Sequence, residues 1–281
     1  MPTIIDGKAI ALQIRERLAR EVAELKIKKI TTKLVVILVG DNKASATYVR
    51  KKGEAAKQIG IDFCLKEFSK DVSEKELIDA IKEIQKDKKL SGLMIQLPLP
   101  EHLNFKKIID KINPEIDVDC LTETSWGKLV RGSNIFQPPT AGAMLETIKC
   151  HKIDLTGKNV VVIGMGELVG KPLTLMLFQE NCTITCCNIF TKDLSAHTKN
   201  ADVVFSGVGK YNLLCGGMIK KGTVVIDAGV SFHEGKMYGD IEFDTVSKKA
   251  SFITPTPGGI GPITVAKLLE NTVKSAKTLS F

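Results

Sequence analysis

Lys52 stands four residues after Tyr48 in TYVRKK, inside the longer stretch ASATYVRKKGEAAKQIG. The segment from about Ser45 to Ile59 reads as a helix ending at Gly60, and on a helix positions four apart share a face. Tyr48, Lys52, Ala55, Ala56 and Ile59 then line one apolar side, while Thr47, Lys51, Glu54 and Gln58 form the polar face beside it. Lys51 is a solvated charge. Lys52 has two readings: a boundary lysine that snorkels to water, or an ammonium that loses hydration and becomes a usable amine near neutral pH. Gln96, at the end of the apolar strand LMIQ, is a second oddity, because a polar amide there needs a partner. In parallel α/β sheets the carboxyl ends of strands face the ligand crevice. Asp117 and Asp119 flank Val118 in a turn after Pro114; taken locally, they read as loop caps.

A different chemistry is written in VVVIGMGELVGKP, residues 160–172. Gly164, Gly166 and Gly170 form G-x-G-x-x-x-G between a β-branched strand and a helix. Without a Cβ, such a turn lets the backbone approach a pyrophosphate whose charge faces the helix N-terminus. The alternating α/β pattern that follows supplies the context a dinucleotide turn requires. An NAD reader carries an acid at the end of the next strand. Here that place holds Cys186, Cys187, Asn188 and Ile189, and position 165, where an arginine would read a 2′-phosphate, is Met165. The residues choose neither NAD nor NADP.

The elements that position these groups follow from periodicity. Residues 7–26 repeat apolar side chains at helical spacing, with Asp6 as cap. LVVILVG is a buried strand and FCLKEF another. Ser73 and Glu76 form a capping box for a helix through about Lys86, and LSGLMIQLPLP gives a third strand. Residues 98–140, rich in proline, read as a domain junction. A helix from about Ala141 to Lys152, with Thr140 as its cap, leads into strands VVVIG, TITCC, ADVVFSGVG and TVVIDAGV. TPTPGGIGP then opens a last helix with Pro262 in its first turn. The fold class expected is α/β in two domains: an N-terminal α/β catalytic domain with a mostly parallel sheet, and a C-terminal Rossmann-type dinucleotide-binding domain. The expected bounds are 1–121, completed by the C-terminal helix at about 262–281, and 140–258.

Composition narrows the class further. The 281 residues carry 40 basic and 32 acidic side chains, a net charge of +8. The lysines are interleaved with acids along helical faces and aromatics make up only 5%, which argues against a nucleic-acid partner. No apolar run approaches the roughly 18–20 residues of a membrane span, and no secretory signal precedes the first helix. Seven cysteines without an export signal suit free thiols in a reducing cytoplasm. CTITCC, containing Cys182, Cys186 and Cys187, reads as a buried strand and not as a metal loop.

The motifs IIDGKAIA, VGDNKASATYVRKK, GLMIQLPLP, PEIDVDCLT, VVVIGMGELVGKP, VIDAGV and PTPGGIGPITVAKLLENT together resemble the bifunctional methylenetetrahydrofolate dehydrogenase/methenyltetrahydrofolate cyclohydrolase family, over almost the whole chain. The resemblance implies that the family's catalytic lysine falls on Lys52, its helical neighbour on Tyr48, its glutamine on Gln96 and its pterin-anchoring aspartate on Asp119. It implies a folate pocket between two domains, closed partly by PGGIGP with Gly258, Gly259 and Pro262. It places the dinucleotide on Gly164, Met165, Gly166, Val169, Gly170, Asn188, Ile189 and Val230. It further implies NADP or NAD as cofactor, a folate substrate that can carry a polyglutamate tail, a homodimer, and a cytoplasmic role in one-carbon supply. The reactions implied are oxidation of 5,10-methylenetetrahydrofolate to the methenyl form and hydrolysis of that form to 10-formyltetrahydrofolate. The alternatives are a dehydrogenase with weak or lost cyclohydrolase activity and a folate- or nucleotide-binding protein without catalysis. An unrelated two-domain dehydrogenase of the shikimate type would share the architecture but leave YVRKK and QLPLP unexplained.

The chain departs from the family pattern at several positions. Met165 stands where Gly-Arg-Ser is frequent, Asn188 and Ile189 where a His with Ser or Arg is frequent, and Cys120 where DVDG has its glycine. Pro139 and Ala141 alter a Pro-Cys-Thr-Pro segment. The first two changes remove residues that favour the 2′-phosphate of NADP, which leaves the preference between NADP and NAD unresolved and opens NAD use or weak discrimination as readings.

Overall fold

The continuous apolar run at 34–39 is a strand buried along its whole length, which requires cover on both sheet faces. The computed structural model describes residues 1–279. In chain order its first part runs β1 (Thr3–Ile4), α1 (Gly7–Ile27), β2 (Lys33–Val39), α2 (Lys43–Gln58), β3 (Asp62–Phe68), α3 (Glu74–Ile84), β4 (Leu90–Ile95), α4 (Phe105–Ile109) and α5 (Glu123–Arg131). There follow α6 (Pro139–Cys150), β5 (Asn159–Ile163), α7 (Gly170–Leu177), β6 (Thr183–Cys187), α8 (Leu194–Thr198) and β7 (Val203–Ser206). The last elements are β8 (Val224–Asp227), β9 (Ser231–His233), β10 (Lys236–Tyr238), α9 (Phe243–Val246), β11 (Phe252–Ile253) and α10 (Ile260–Thr278).

Two compact units emerge. One joins Gln13–Gln137 to the residues from Val265 onward; the other joins Met1–Leu12 to Pro138–Thr264. The first unit holds a parallel three-stranded sheet in the order β3-β2-β4. Central β2 packs Val35, Ile37 and Val39 against Leu77, Ile78 and Ile81 of α3 and the apolar side of 103–121. α3 begins at the expected capping box, where Ser73 and Glu76 exchange hydrogen bonds. α2 starts two residues earlier than its apolar spacing suggests, because Asn42 accepts from the Ser45 N–H and supplies the cap. A Cβ on Gly53 would stand 2.7 Å from the Phe63 ring, so this glycine lets α2 close onto β3 beside Lys52. Within the 98–140 stretch, α4 and α5 are held by side-chain caps at Asn104 and Thr122. These cap signals were present but masked by the surrounding prolines.

The second unit is a parallel six-stranded sheet in the order β1-β11-β8-β7-β5-β6. The order reverses after β5, the switch-point arrangement of doubly wound sheets. Its core gathers Val161, Ile163, Val204, Val225, Ile241 and Ile253. Two expectations are corrected. Thr140 does not cap α6: the helix begins at Pro139, with no side-chain cap bond at Pro138, since a proline at the first position loses no helical donor. TITCC is not a buried strand, because β6 is the sheet edge and only Cys187 of its residues is buried. All seven cysteines are free thiols. Among the described residues, no helix is long and apolar enough to cross a membrane, and no group of three His, Cys, Asp or Glu is placed to hold a metal ion.

Candidate active site and dinucleotide turn

In the three-stranded unit, α2 delivers Tyr48 and Lys52 on the face that also buries Ala55, Ala56 and Ile59. The Lys52 Nζ donates to the Gln96 Oε1 at 3.0 Å and lies 3.6 Å from the Met94 Sδ. Gln96 continues β4 by one residue, its N–H donating to the Ile37 carbonyl at 2.8 Å. Its amide NH2 donates to the Leu97 carbonyl at 2.8 Å, which turns Oε1 toward the lysine. Met94 was not singled out from the sequence. Strand alternation contained the signal, because residues two apart on β4 share a face.

The two aspartates of PEIDVDCLT part company in the structure. Asp117 is fully buried and accepts from the Leu121 and Thr122 N–H groups at 3.2 and 2.9 Å and from the Ser125 hydroxyl at 2.6 Å. It is the loop cap. Asp119 instead faces Lys52 electrostatically. Burial pushes its carboxyl up to about 6, against the pull of the Lys52 charge and with a further push from Asp117. Burial lowers the Lys52 pKa, and the Asp119 charge only partly opposes that. Of the two open readings of Lys52, its surroundings favour the desolvated amine. The Tyr48 hydroxyl is raised, also by burial. Cys120, directly after Asp119, adopts φ 59°, the left-handed region where a glycine carries no steric penalty. Its buried thiol is raised well above the usual range by burial and by Asp117 and Asp119, so it is not a nucleophile at neutral pH.

The glycine turn lies in the six-stranded unit, between β5 and α7. Gly164 has φ 92°, and a Cβ there would meet Val208 at 2.8 Å. A Cβ on Gly170 would stand 1.6 Å from the Gly164 carbonyl oxygen, so the third glycine makes the tight strand-to-helix turn possible. Gly166 differs: nothing lies within 4 Å of its Cβ position. The first and third glycines are consumed by the turn itself, and the second leaves its flank open at the N-terminal end of α7. That opening fits a pyrophosphate. Val169 packs under Gly207, Val230 is partly exposed, and Met165 touches Thr174. After β6, the Asn188 side chain is occupied by accepting from the Phe190 N–H at 2.9 Å. Ile189 is 92% exposed.

Gly258 and Gly259 also belong to the six-stranded unit. Gly258 has φ 106°, and a Cβ on Gly7 would stand 1.7 Å from the Gly259 carbonyl oxygen. Pro262 sits in the first turn of α10.

Comparison with known proteins agrees with both halves. Residues 5–119 match the family model described as tetrahydrofolate dehydrogenase/cyclohydrolase, catalytic domain, and residues 138–280 match that of the NAD(P)-binding domain of the same family. The chain is 47% identical to the bifunctional protein FolD of Nautilia profundicola, over 99% of this chain and 98% of that one. The solved bifunctional FolD dehydrogenase/cyclohydrolase of Campylobacter jejuni is 42% identical, with a TM-score of 0.97 and 99% of both chains covered. The Trypanosoma brucei dehydrogenase-cyclohydrolase, solved with NADP cofactor and inhibitor, is 35% identical with a TM-score of 0.95, covering 99% of this chain and 98% of that one.

Proposed function

The chain belongs to the tetrahydrofolate dehydrogenase/cyclohydrolase family, and from that premise we infer how its own residues carry the two reactions, oxidation of 5,10-methylenetetrahydrofolate to the methenyl form and hydrolysis of that form to 10-formyltetrahydrofolate. The observation that carries the assignment is the 3.0 Å bond between Lys52 and Gln96 in a setting that lowers the lysine pKa. In the hydrolysis, water adds to the methenyl carbon. Lys52 as the neutral amine takes a proton from that water and returns it to N5 as the ring C–N bond breaks; the second water proton leaves to solvent. Such positioned proton transfer contributes about 10²–10⁴-fold. Gln96 holds the amine in line. Asp119, ionised above about pH 6, accepts from the amino group and ring N–H of the pterin. Tyr48 packs against the folate from one helical turn away, and Gly258, Gly259 and Pro262 contribute to substrate binding.

Gly164, Gly166, Val169 and Gly170, with Met165, Asn188, Ile189 and Val230 around them, are the residues suited to hold NAD(P). The dinucleotide supplies the hydride acceptor for the oxidation. Position 165 is uncharged, Asn188 is engaged in its own turn and Ile189 is apolar. These features support NAD use or weak discrimination between NAD and NADP. A homodimer, a cytoplasmic location and acceptance of polyglutamylated folate complete the proposal; the net charge of +8 and the free cysteines suit them. The test is initial rate on 5,10-methylenetetrahydrofolate with each nucleotide, identifying the folate product. Formation of 10-formyltetrahydrofolate with NAD at a rate comparable to or above NADP supports the reading. A strong preference for NADP overturns the cofactor part, and accumulation of the methenyl form overturns the role of Lys52.

A further inference from the structure

Asp227 and Asp240 are both buried in the six-stranded unit, and the two reactions use neither. Asp227 ends β8, in VIDAGV; Asp240 follows the β9–β10 hairpin. They interlock. A Cβ on Gly229 would stand 2.1 Å from the Asp240 Oδ1, and one on Gly239 would stand 2.0 Å from the Asp227 Oδ2. Each glycine therefore makes room for the other strand's carboxylate. Asp227 accepts from the Gly229, Asp240 and Ile241 N–H groups at 2.8, 2.7 and 3.2 Å. That fixes Asp240 at its own backbone.

Asp240 in turn reaches back to the end of β7. Its Oδ2 accepts from the Ser206 hydroxyl at 2.6 Å and the Val208 N–H at 2.7 Å, and its Oδ1 from the Lys210 N–H at 2.8 Å. Its carbonyl also accepts from Leu213 and Leu214. One residue thus ties down residues 206–214. This segment is the wall of the glycine turn. Gly207 donates to the Ile163 carbonyl at 3.1 Å and leaves room for Val169, and Val208 packs against Gly164. A wall made of a short exposed loop has no core of its own to hold it in register; the buried Asp240 carboxyl at its base supplies that register. Two carboxyls buried side by side are a costly way to build a loop, and here the arrangement serves the side of the turn where Gly166 stands open.

We infer that Asp240, supported by Ser206 and Asp227, is a positioning residue for nucleotide binding, holding the 206–210 segment as the wall that shapes the open flank of the 164–170 turn. The inference rests on the reading that NAD(P) binds at that turn. Hydrolysis of the methenyl form needs no nucleotide, so cyclohydrolase activity is an internal control that a general loss of structure would not spare. The experiment measures the nucleotide KM and kcat of the dehydrogenase step, and the cyclohydrolase rate, for wild type, Asp240→Asn, Ser206→Ala and Gly166→Val, with folding checked by circular dichroism. Losing a hydrogen bond to a charged group corresponds to roughly 10-fold or more, so Asp240→Asn should raise the nucleotide KM about tenfold while cyclohydrolase activity persists. Ser206→Ala should raise it by a smaller factor in the same direction. Folded Asp240→Asn protein with an unchanged KM, or with both activities falling in step, overturns the inference. If Asp240→Asn fails to fold, Ser206→Ala decides: a raised KM with intact cyclohydrolase supports positioning, and no change overturns it. Gly166→Val separates the two levels. If it leaves the nucleotide KM unchanged, the binding site is misplaced and the inference falls with it. If it weakens nucleotide binding while Asp240→Asn does not, the site stands and the positioning role alone is wrong.

Discussion

Each of the two units buries a pair of ionisable groups, Lys52 with Asp119 in one and Asp227 with Asp240 in the other. Desolvation drives Lys52, Asp119 and Asp227 toward their neutral forms. The partner's sign then decides how far. Asp119 rises only to about 6 because Lys52 draws it back, whereas Asp227 rises to about 7 because Asp240 pushes in the same direction, against three backbone N–H donors. In the opposite-charge pair burial lowers the lysine and raises the aspartate, which suits proton transfer at the end of β4. The two aspartates are held by backbone donors and the Ser206 hydroxyl and suit fixing loops.

The largest expected effect breaks the first pair. Lys52→Met should lower cyclohydrolase activity by about 10²–10⁴-fold, with methenyltetrahydrofolate accumulating in the product analysis; full retention would remove the lysine from the mechanism. Asp119→Asn should raise the folate KM by roughly tenfold, the value of a hydrogen bond to a charged acceptor. It also removes the charge that raises the Lys52 pKa, so the rising acidic limb of the cyclohydrolase pH profile, set by deprotonation of Lys52, should move to lower pH.

The second pair is sharpened by pH. The folded pKa of Asp227 lies above its unfolded value, so its contribution to stability is fully present below about pH 4 and is lost as pH rises through about 7. Asp227→Asn does not titrate. The difference in Tm between wild type and variant should therefore shift against wild type by several degrees from pH 4 to pH 7.5; a constant difference would show that the pair does not titrate as argued. The smallest effect is expected at Cys120→Gly. Relief of the left-handed backbone conformation, about 1–2 kcal/mol, offsets a loss of similar size from unburying a small side chain. Denaturant unfolding should show a change within about 1 kcal/mol.

The long apolar strands, the capping box at Ser73 and the glycine turn were legible because each is a local pattern. The two-residue strands β1 and β11 were not, since two residues carry no period. α4 and α5 were hidden in a proline-rich stretch whose caps, Asn104 and Thr122, act over three residues only. The edge position of β6 was also out of reach, because an apolar run does not tell a central strand from a lateral one when its neighbours are unknown. Asp117 and Asp119 looked equivalent; only the loop's path turned one inward to its own backbone and the other toward Lys52.

By itself the sequence determined which chemistries are present: a lysine on the apolar side of a helix, an amide ending a buried strand, a glycine turn between strand and helix, and the family motifs that contain them. These are statements about residue type and spacing, which the chain carries locally. The tertiary structure alone decided what those residues are as acids and bases. A pKa depends on burial and on the charges brought near by distant parts of the chain, and α2, β4 and the 117–121 loop meet only when the sheet is formed. It likewise decided which of three glycines is free to face a ligand, because the space beside a Cα belongs to whatever packs against it.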